Sequence, residues 1–529
     1  ILAGSNSTYE SAVIDELDNM GVFKNTYSNC IITKQWKDAD SEEDISKTYV
    51  YGSATLKENL TIASGESIDF ASGASITNLG KLTVEDGATI LVDDKAHEHN
   101  TNGGVTCEWK DADTHVQKSV CKDCPIAYIA ETEQEQHNYN TQGFCTECDA
   151  YQPAVLTTDQ YDINGDNSKD NVYEISNAGQ LYWFSGLVNG TLPGVDQNRA
   201  ANAVLTTDIV VNKNVLKSDG TLNDGTFKEW TPIGTDKYSY TGTVDGKNHT
   251  ICGLYFNQKG KAYVGLFGKV GSVGQVSNVS VLDSYIRGQS KVGGMCGDNS
   301  GTITNCNNTG IVSGDDYIGG VCGQNYATII RSNNTGIVSG RSKVGGVCGY
   351  IGALATDCNN AGTVSGNDYV GGVCGENGGS IARSNNTGIV NGIETYVGGV
   401  CGYNKRDIKN CYYDSVVYTG KAIGVVDEGT VTNVEGKTTE QYKSGEVAYL
   451  LQGEQEDSVW GQTLSEEGGD PYPVLGGKKV YQNISYDSCV EDENKIVYTY
   501  SNEAKAITAL GHDYVVSKEK SEDGTSVTL

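Results

Sequence analysis

Very short apolar runs alternate with Gly and Asn through the middle of the chain, and no stretch there repeats its apolar residues at helical spacing. One hexamer, Val/Ile-Gly-Gly-Val/Met-Cys-Gly, recurs in this region, and its cysteines follow one another after 26, 26, 26 and 27 residues. These cysteines are Cys296, Cys322, Cys348, Cys374 and Cys401. Short apolar runs cut by Gly and Asn predict β-strands joined by tight turns, and the fixed period predicts a repeat architecture.

A second block, Cys/Ser-Asn-Asn-Thr/Ala-Gly, lies within each period. One turn of 26 residues, which we call a rung, cannot bury its own inner face, whereas stacked rungs can. We therefore predict a right-handed parallel β-solenoid over 231–425. Equivalent side chains then lie roughly 4.8 Å apart, so the second asparagines are predicted to form a ladder of amide hydrogen bonds: Asn308, Asn334, Asn360 and Asn386.

A pattern of twice this period precedes each hexamer, where Lys alternates with Tyr from rung to rung. Stacking is predicted to place Lys343 between Tyr317 and Tyr369, with Asp316 and Asp368 nearby. That order avoids a column of like charge and permits cation–π contacts. Two interpretations stay open: a structural ladder, or a stripe that binds a ligand.

Helices are predicted only outside the repeats, where they would cover the open ends of the solenoid. Ser176 or Asn177 is placed to cap a helix that ends at Asn189-Gly190. Thr438 and Gln441 have the spacing of a capping box before a helix at about 445–452. Residues 9–21 could form one further helix, and the short apolar runs over 53–95 predict a smaller parallel solenoid with shorter turns.

The predicted fold is thus all-β: a solenoid (β-helix) with short helical caps and a small Cys/His-stabilised module. The predicted segments are an N-terminal region with a short solenoid (1–96), the Cys/His module (97–153), a segment leading into the repeats (154–230), the repeat solenoid (231–425), a C-terminal cap with a helix (426–480), and a C-terminal β segment that begins a further unit (481–529).

Charge excludes several partners. Lys plus Arg is 38 and Asp plus Glu is 68, which gives a net charge of −30. Nucleic-acid binding and docking on an anionic membrane both require clustered positive charge, so neither is expected. No apolar run is long enough for a membrane helix, so no membrane insertion is predicted in this segment.

The repeats and their flanks together resemble the GLUG motif of bacterial surface proteins. Besides the hexamers, the resemblance includes Trp230-Thr-Pro-Ile-Gly234 before the array and Ser444-Gly-Glu-Val-Ala-Tyr-Leu-Leu451 after it, and it covers about 172–480. It implies a cell-surface or secreted protein, typically of Gram-positive gut or oral bacteria, and it implies no reaction. Some immunoglobulin-A peptidases carry such repeats beside a zinc protease domain, but no His-Glu-x-x-His motif is present in this sequence.

The Cys/His module contains the strongest chemical cluster. Cys121 and Cys124 form one C-x2-C pair, Cys145 and Cys148 form another, and His115 and His137 precede the two pairs. Thiolate and imidazole ligands suit a closed, tetrahedral zinc site. Two interpretations stay open: structural zinc held by these residues, or disulfides, which an extracellular setting favours.

A second metal candidate follows at 162–170. Oxygen ligands recur at alternate positions of this loop, as in the first half of a calcium loop: Asp162, Asn164, Asp166, Ser168 and Asp170. The glycine is displaced from its usual position, and Tyr173 stands where the last calcium ligand is normally found. A polar connecting turn is the alternative interpretation.

The hexamer cysteines are predicted to form an inward column of free, buried thiols, because in-register side chains point the same way and cannot turn towards each other. The alternative pairs each with a cysteine of its own rung, as in Cys296–Cys306, Cys348–Cys358 and Cys401–Cys411.

These patterns predict an extracellular, cell-wall-associated surface protein without catalytic or organic cofactor-binding residues, and hence not an enzyme. A rigid stalk or adhesin is favoured, whose partner is a glycan or protein on a host or neighbouring cell. The alternatives are a self-assembling extracellular fibre, in which solenoids associate end to end, and a carbohydrate-active β-helix enzyme, which would need carboxylates converging on one face.

Overall fold

The computed structural model describes residues 7–10, 30–37, 44–56, 59–77, 81–97, 105–120, 129–163, 165–393, 396–465, 467–486, 496–503, 519–520 and 527–528. The chain forms two compact units. The first comprises 1–138 and 145–150, and the second comprises 139–144 and 151–529.

The second unit contains the parallel β-solenoid that the sequence predicts. Each repeat contributes very short strands to four sheets that run along the solenoid, which we name after their characteristic residues. Cys296 pairs with Cys322, Ile303 with Ile329, and Val292 with Ile318, all in parallel register. The register places each residue beside its equivalent in the next repeat, which confirms one rung per repeat.

The strands of two of these sheets carry the hexamer. The Lys/Tyr sheet comprises Ser290–Gly293, Asp316–Gly319, Ser342–Gly345, Asp368–Gly371 and Val397–Gly398. The cysteine sheet comprises Phe267–Val270, Cys296–Asn299, Cys322–Asn325, Cys348–Ile351, Cys374–Asn377, Cys401–Asn404 and Ile423–Val426.

The rest of each rung passes through a long sheet and a valine sheet. The long sheet comprises Val155–Tyr161, Asp170–Ile175, Asn202–Leu205, Ile209–Val210, Thr243–Asp245, Thr250–Cys252, Gln275–Ser277, Ser280–Leu282, Thr302–Thr304, Asn307–Asn308, Thr328–Ile330, Asn333–Asn334, Leu354–Thr356, Asn359–Asn360, Ser380–Ala382, Asn385–Asn386, Asp407–Asp414 and Val431–Lys437. The valine sheet comprises Tyr255–Asn257, Tyr285–Arg287, Ile311–Ser313, Val338–Ser339, Val364–Gly366 and Val390–Gly392.

The solenoid interior consists of columns of aliphatic side chains and asparagines. Val312, Val338 and Val364 are fully buried in one such column. The predicted amide ladder is also present: Asn308 Nδ2 donates to Asn334 Oδ1 at 2.8 Å, and Asn334 Nδ2 donates to Asn360 Oδ1 at 2.8 Å. Asn360 continues the ladder to Asn386 at 2.7 Å. Each rung is therefore joined to the next through side chains as well as backbone.

A helix closes the N-terminal end of this interior. Helix α1 (Ala178–Asn189) has the predicted boundaries: Asn177 Oδ1 accepts from Gln180 N at 2.9 Å, and Gly190 ends the helix with a φ of 70°. Its Phe184 contacts Tyr240, and Tyr240 in turn contacts Phe267, which begins the cysteine column. Hydrogen bonds from Ser185 to Thr231 O and from Tyr182 to Glu229 O hold the helix in place.

Two short helices follow the repeats instead of the predicted single one. The capping box of Thr438 and Gln441 begins α2 (Thr439–Lys443). Gly445, with a φ of 89°, separates it from α3 (Glu446–Gln452), because this left-handed residue cannot continue a helix. Helix α2 packs against the side of the solenoid, where its Tyr442 OH donates to Asn385 at 2.6 Å, and Gln455, which follows α3, donates from Nε2 to Asp357 at 3.3 Å.

The first unit contains a smaller parallel solenoid, as the sequence predicts for 53–95. Its parallel strands are Asp44–Tyr51, Ser53–Thr55, Leu60–Ile62, Ser67–Phe70, Ser75–Thr77, Leu82–Val84 and Thr89–Val92. At its edges Cys30–Lys37 runs antiparallel to Asp44–Tyr51 and parallel to Ser7–Glu10, and Lys95–Ala96 runs antiparallel to Thr89–Val92. Ser67 pairs with Thr89 and Ser53 with Ser75, so a turn takes 22 residues. Of the helix predicted over 9–21, residues 9 and 10 belong to a strand, and 11–21 lie outside the described residues.

The remaining described strands form small antiparallel sheets. In the first unit these are Val105–Trp109, Thr114–Val120 and Ile129–Gln136. In the second unit they are the pairs Trp460–Gly461 with Val474–Leu475, Tyr481–Tyr486 with Ile496–Ser501, and Glu519–Lys520 with Val527–Thr528.

Candidate metal centre and tyrosine–lysine stripe

Two histidines and two cysteines converge in the first unit. His115 lies on the middle strand of the three-stranded sheet, and His137 follows the last strand. Cys145 and Cys148 lie in a turn that is closed by a hydrogen bond from Cys145 N to Ala150 O at 2.9 Å. One ligand atom from each of these four residues lies within 4.8 Å of the others. The three-stranded sheet thus brings His115 close to three residues that follow it more than 20 positions later in the sequence.

The surroundings of the histidines suit metal binding. His137 Nδ1 lies 3.5 Å from Cys148 Sγ, and its Nε2 lies 3.2 Å from the carbonyl oxygen of Asp111. A backbone carbonyl at the second ring nitrogen fixes the orientation of a ligating imidazole. His115 is only 1% exposed, and within the described part of the chain neither of its ring nitrogens has a hydrogen-bond partner. A buried imidazole without such a partner is costly unless something else binds it.

The two thiols differ in acidity. Burial acts to raise the pKa of Cys145, but the backbone N–H groups of Glu147, Cys148 and Asn138 outweigh it, and its pKa lies below the ordinary value. Burial and the neighbouring Cys145 raise the pKa of Cys148 to about 12. The turn therefore already stabilises one thiolate, the form of cysteine that binds metals. Two imidazoles and two thiols are a donor set that fits tetrahedral zinc.

The other predicted metal ligands are placed differently. Cys121 and Cys124 lie outside the described residues, as does Asn164 of the calcium loop. In that loop the carboxylates accept hydrogen bonds from the loop backbone: Asp162 from Gly165 N and Asn167 N, Asp166 from Ser168 N, and Asp170 from Ile163 N. The described part of the loop therefore resembles the polar connecting turn, and calcium binding stays a prediction.

The hexamer cysteines are free and fully buried in the structure, as are Cys306, Cys358 and Cys411. Cys296 Sγ donates to Asp298 O at 3.2 Å, and Cys306 Sγ donates to Thr304 O at 3.4 Å. The free-thiol prediction is therefore confirmed, and the same-rung disulfides are absent from these described positions. Burial raises the pKa of Cys306, Cys358 and Cys411 to about 12.

Tyrosines and lysines form a continuous surface stripe on the second unit, which we call the tyrosine–lysine stripe. It consists of the half-buried Tyr263, Lys291, Tyr317, Lys343, Tyr369 and Tyr396, together with the residues two positions after the column cysteines, Asp298, Gln324, Tyr350, Glu376 and Tyr403. Of the latter, Asp298, Gln324 and Glu376 are buried beside it. Lys343 Nζ lies 4.5 Å from the ring centre of Tyr317 and 5.9 Å from that of Tyr350. Tyr369 stacks on Tyr396 at 4.6 Å with 2° between the ring planes.

The acidic partners in this stripe differ from those expected. Lys343 Nζ pairs with Glu376 at 2.7 Å, whereas Asp316 pairs with Arg341. Glu376 stands two positions after Cys374 on a neighbouring strand of the cysteine sheet, and its buried carboxylate lies beside the ammonium group of Lys343. The sequence contained this signal, because Asp298, Tyr350, Glu376 and Tyr403 share one position of the repeat.

Comparison with known proteins identifies distant relatives. No family model matches the chain, so the resemblance to the GLUG motif stays a prediction. Halomucin of Haloquadratum walsbyi is 34% identical over 112 residues, which is 21% of this chain and 1% of that protein. A protein of Evansella cellulosilytica named "putative Gly-rich membrane protein" is 35% identical over 79 residues, 14% of this chain and 9% of that protein. The matches thus span a small part of these relatives.

One solved structure is similar. It is a "putative immunoglobulin A1 protease" of Bacteroides ovatus, with 19% identity and a TM-score of 0.41, and the similarity covers 58% of this chain and 92% of that one. The prediction that the chain is not an enzyme is contradicted by the name of this neighbour, and we withdraw it. A likeness of this degree carries no argument about activity, so it assigns no catalytic residue.

Proposed function

We propose that this chain is an extracellular surface protein whose solenoid serves as a rigid stalk with an adhesive face. The observation that carries the proposal is the in-register stack of rungs in the second unit, joined both by parallel backbone pairing and by buried asparagine ladders. In such a stack, bending would have to break hydrogen bonds that are shielded from water. A rigid element of this kind suits the display of a binding surface away from its attachment point.

The comparisons support the coarse form of this proposal. A β-solenoid, together with relatives named halomucin and a Gly-rich membrane protein, fits a structural protein of the cell surface. The GLUG-like repeats over 172–480 belong to the same proposal, as does a partner on a host or neighbouring cell. Among the described residues, no helix combines the length and apolar character needed to cross a membrane.

We further propose that His115, His137, Cys145 and Cys148 hold a structural zinc ion in the first unit. Two features support this set: the turn at Cys145 that stabilises a thiolate, and the buried His115, whose ring nitrogens have no hydrogen-bond partner among the described residues, with Glu135 Oε2 lying 3.7 Å from its Nε2. Zinc with four protein ligands has no open position for a substrate, and it would stabilise a segment with few large apolar residues.

Labelling of intact cells tests the proposed location. An antibody against 231–425 is expected to stain intact cells of the source organism as strongly as permeabilised cells. A cytoplasmic protein of the same cells, labelled in parallel, should stain only after permeabilisation and so verifies that the intact cells are sealed. Staining of the solenoid that also requires permeabilisation would contradict the proposal.

A further inference from the structure

The backbone of the tyrosine–lysine stripe is left-handed in rung after rung. The φ angles are 61° at Tyr263, 53° at Lys291, 60° at Tyr317, 55° at Lys343 and 51° at Tyr369. A residue with a Cβ is strained in this region, and the strain is greatest for bulky side chains, whereas Gly avoids it and Asn tolerates it. The solenoid thus places large side chains at positions where Gly or Asn would have less backbone strain.

The same solenoid contains an internal comparison. A second left-handed position recurs at the corner within the long sheet, and there four of the described rungs carry asparagine: Asn278, Asn305, Asn410 and Asn433. The other rungs carry Arg331, Asp357 and Arg383, and Arg383 is bound to the buried Asp357. Asparagine can therefore occupy a left-handed corner position of this fold. Strained backbone positions that retain large side chains are typical of functional surfaces.

The charges of the stripe are internally matched. Lys291 pairs with Asp298 at 2.8 Å, and Lys343 and Lys405 both pair with Glu376, at 2.7 and 2.8 Å. Burial acts to raise the pKa of Glu376, but the two lysines outweigh it and hold its pKa below the ordinary value. These three lysines and two carboxylates leave a net charge of only +1, which is too small to attract a polyanion strongly and does not attract a polycation. The half-buried tyrosine hydroxyls and ammonium groups of the stripe can instead form hydrogen bonds with the hydroxyl groups of a ligand, whereas the carboxylates of Asp298 and Glu376 are buried against the lysines.

The stripe is also linear and periodic. Equivalent positions recur roughly every 4.8 Å along the solenoid, so the Tyr–Lys alternation repeats after about 9.6 Å. At the N-terminal end of the stripe, Tyr263 lines a cleft of about 420 Å³ together with Lys261 and Asp236. That volume lies within the range of small-ligand sites. A straight row of repeating polar and aromatic groups matches a linear polymer of hydroxyl-rich units better than a folded protein, whose interface would have an apolar centre.

From these observations we infer that the tyrosine–lysine stripe binds a neutral polysaccharide laid along the solenoid axis. This inference rests on the proposed adhesive function and names its ligand class. The tyrosine hydroxyls and lysine ammonium groups would donate to sugar oxygens, and the exposed parts of the rings would contact the sugar C–H groups.

Affinity electrophoresis of the purified full chain tests the inference. The gels contain a soluble β-glucan, a galactomannan or a mannan, and polygalacturonate provides the anionic arm. The variants Tyr317→Asn and Tyr369→Asn place at left-handed positions a residue that tolerates them, so they are expected to fold. Arg331→Asn is the matched control, because it makes the same kind of change at a left-handed position, with a φ of 50°, outside the stripe.

We expect at least one neutral polysaccharide to retard the parent chain and Arg331→Asn equally, and each tyrosine variant to bind it at least about tenfold more weakly, which corresponds to about 1.4 kcal/mol. Retardation by none of the neutral polysaccharides, or by polygalacturonate alone, would overturn the inference while leaving the cell-surface location to its own test. Tyrosine variants that bind as the parent does would also overturn it. So would tyrosine variants that lose binding only because their thermal unfolding midpoints fall well below that of Arg331→Asn.

Discussion

The side chain of a buried asparagine in this solenoid forms hydrogen bonds both within its own turn and to the neighbouring rungs. Asn334 Oδ1 accepts from Gly336 N at 3.3 Å and from Asn308 Nδ2, while its Nδ2 donates to Asn360 Oδ1 and to Gly336 O at 3.2 Å. The side chain is fully buried, so water cannot replace these partners. The ladder therefore contributes more to the free energy of unfolding than the same number of solvent-exposed amide hydrogen bonds would.

Asn334→Ala is expected to lower the free energy of unfolding by about 2–3 kcal/mol, since it leaves buried donors and acceptors without partners. The exposed Asn367 provides the control, where the same change should cost less than about 0.5 kcal/mol. Urea unfolding followed by circular dichroism measures the free energy of unfolding of both variants, provided that its dependence on urea concentration, the m-value, stays unchanged. Equal midpoints for the two variants would show that the ladder does not stabilise the stack.

The proposed zinc site makes a prediction about single cysteines. Cys148→Ser should reduce zinc affinity at least about tenfold, because it removes one of four ligands. Cys107→Ser and Cys121→Ser should retain the metal if the site consists of His115, His137, Cys145 and Cys148. Elemental analysis after dialysis against a weak chelator measures the zinc retained per chain. A parent chain without zinc, or a Cys121→Ser variant that loses it, would contradict this ligand set.

Buried thiols make the solenoid sensitive to alkali. The pKa of Cys306, Cys358 and Cys411 is raised to about 12 in the folded chain, against 9.0 for an unperturbed thiol. The unfolded chain then releases these protons first, so the stability they contribute is fully present below pH 9 and is lost as pH rises from 9 towards 12. Each thiol can lower the free energy of unfolding by up to about 1.4 kcal/mol per pH unit in that window.

Replacing all three by serine should flatten this dependence. Ser332 and Ser384 occupy the equivalent place in the intervening rungs, where their hydroxyls donate to backbone carbonyls, so serine fits there. The difference in unfolding free energy between parent and triple variant should shift in favour of the variant between pH 9 and 10.5. A constant difference across that range would mean that these thiols ionise equally in both states.

At the scale of elements, α1 is the plug of the solenoid. Phe184 of α1 is fully buried against Tyr240, at the head of the column that continues through Phe267 to the cysteines. Phe184→Ala should lower the free energy of unfolding by about 3–5 kcal/mol, the usual cost of emptying a core aromatic site. Phe227→Ala, at a half-buried phenylalanine of the same unit, should cost clearly less, and equal effects on the urea midpoint would argue against the plug.

The repeats could be predicted from the sequence because each determinant of their stacking is local and is repeated at one spacing. The ladder, for example, is predicted simply because Asn308 and Asn334 are the same residue type at the same position of the repeat. The same reasoning could not predict that Gly445 divides the C-terminal cap into α2 and α3, nor that Tyr442 would dock on Asn385, because such contacts occur once and far apart in sequence. Likewise, the pairing of Lys343 with Glu376 depends on which strands of two different sheets lie beside each other.

The metal cluster was predictable in part for the same reason. Cys145 and Cys148 are neighbours in one turn and indicate metal binding by their spacing. His115 joins them only because the three-stranded sheet places Thr114–Val120 beside Ile129–Gln136, a pairing that no periodicity announces. Hence the sequence named the donor types and the two histidines, while it left the choice among the cysteine pairs open.

At the scale of the whole molecule, the ends of the solenoid decide between a stalk and a fibre. Head-to-tail growth requires two open ends with complementary parallel edges. The N-terminal end of the long sheet finishes in Val155–Tyr161, which runs antiparallel to its neighbour Asp170–Ile175, and α1 covers the interior there. One blocked end is sufficient to stop the growth of a head-to-tail stack, so the solenoid is expected to stay a single chain.

Negative-stain electron microscopy of the purified full chain, with sedimentation analysis of the same sample, tests this account most directly. The account predicts separate particles of one chain each, whose mass does not change over a hundredfold range of concentration. Filaments that lengthen with concentration, with rungs continuing from one chain to the next, would contradict it and identify the protein as a self-assembling fibre.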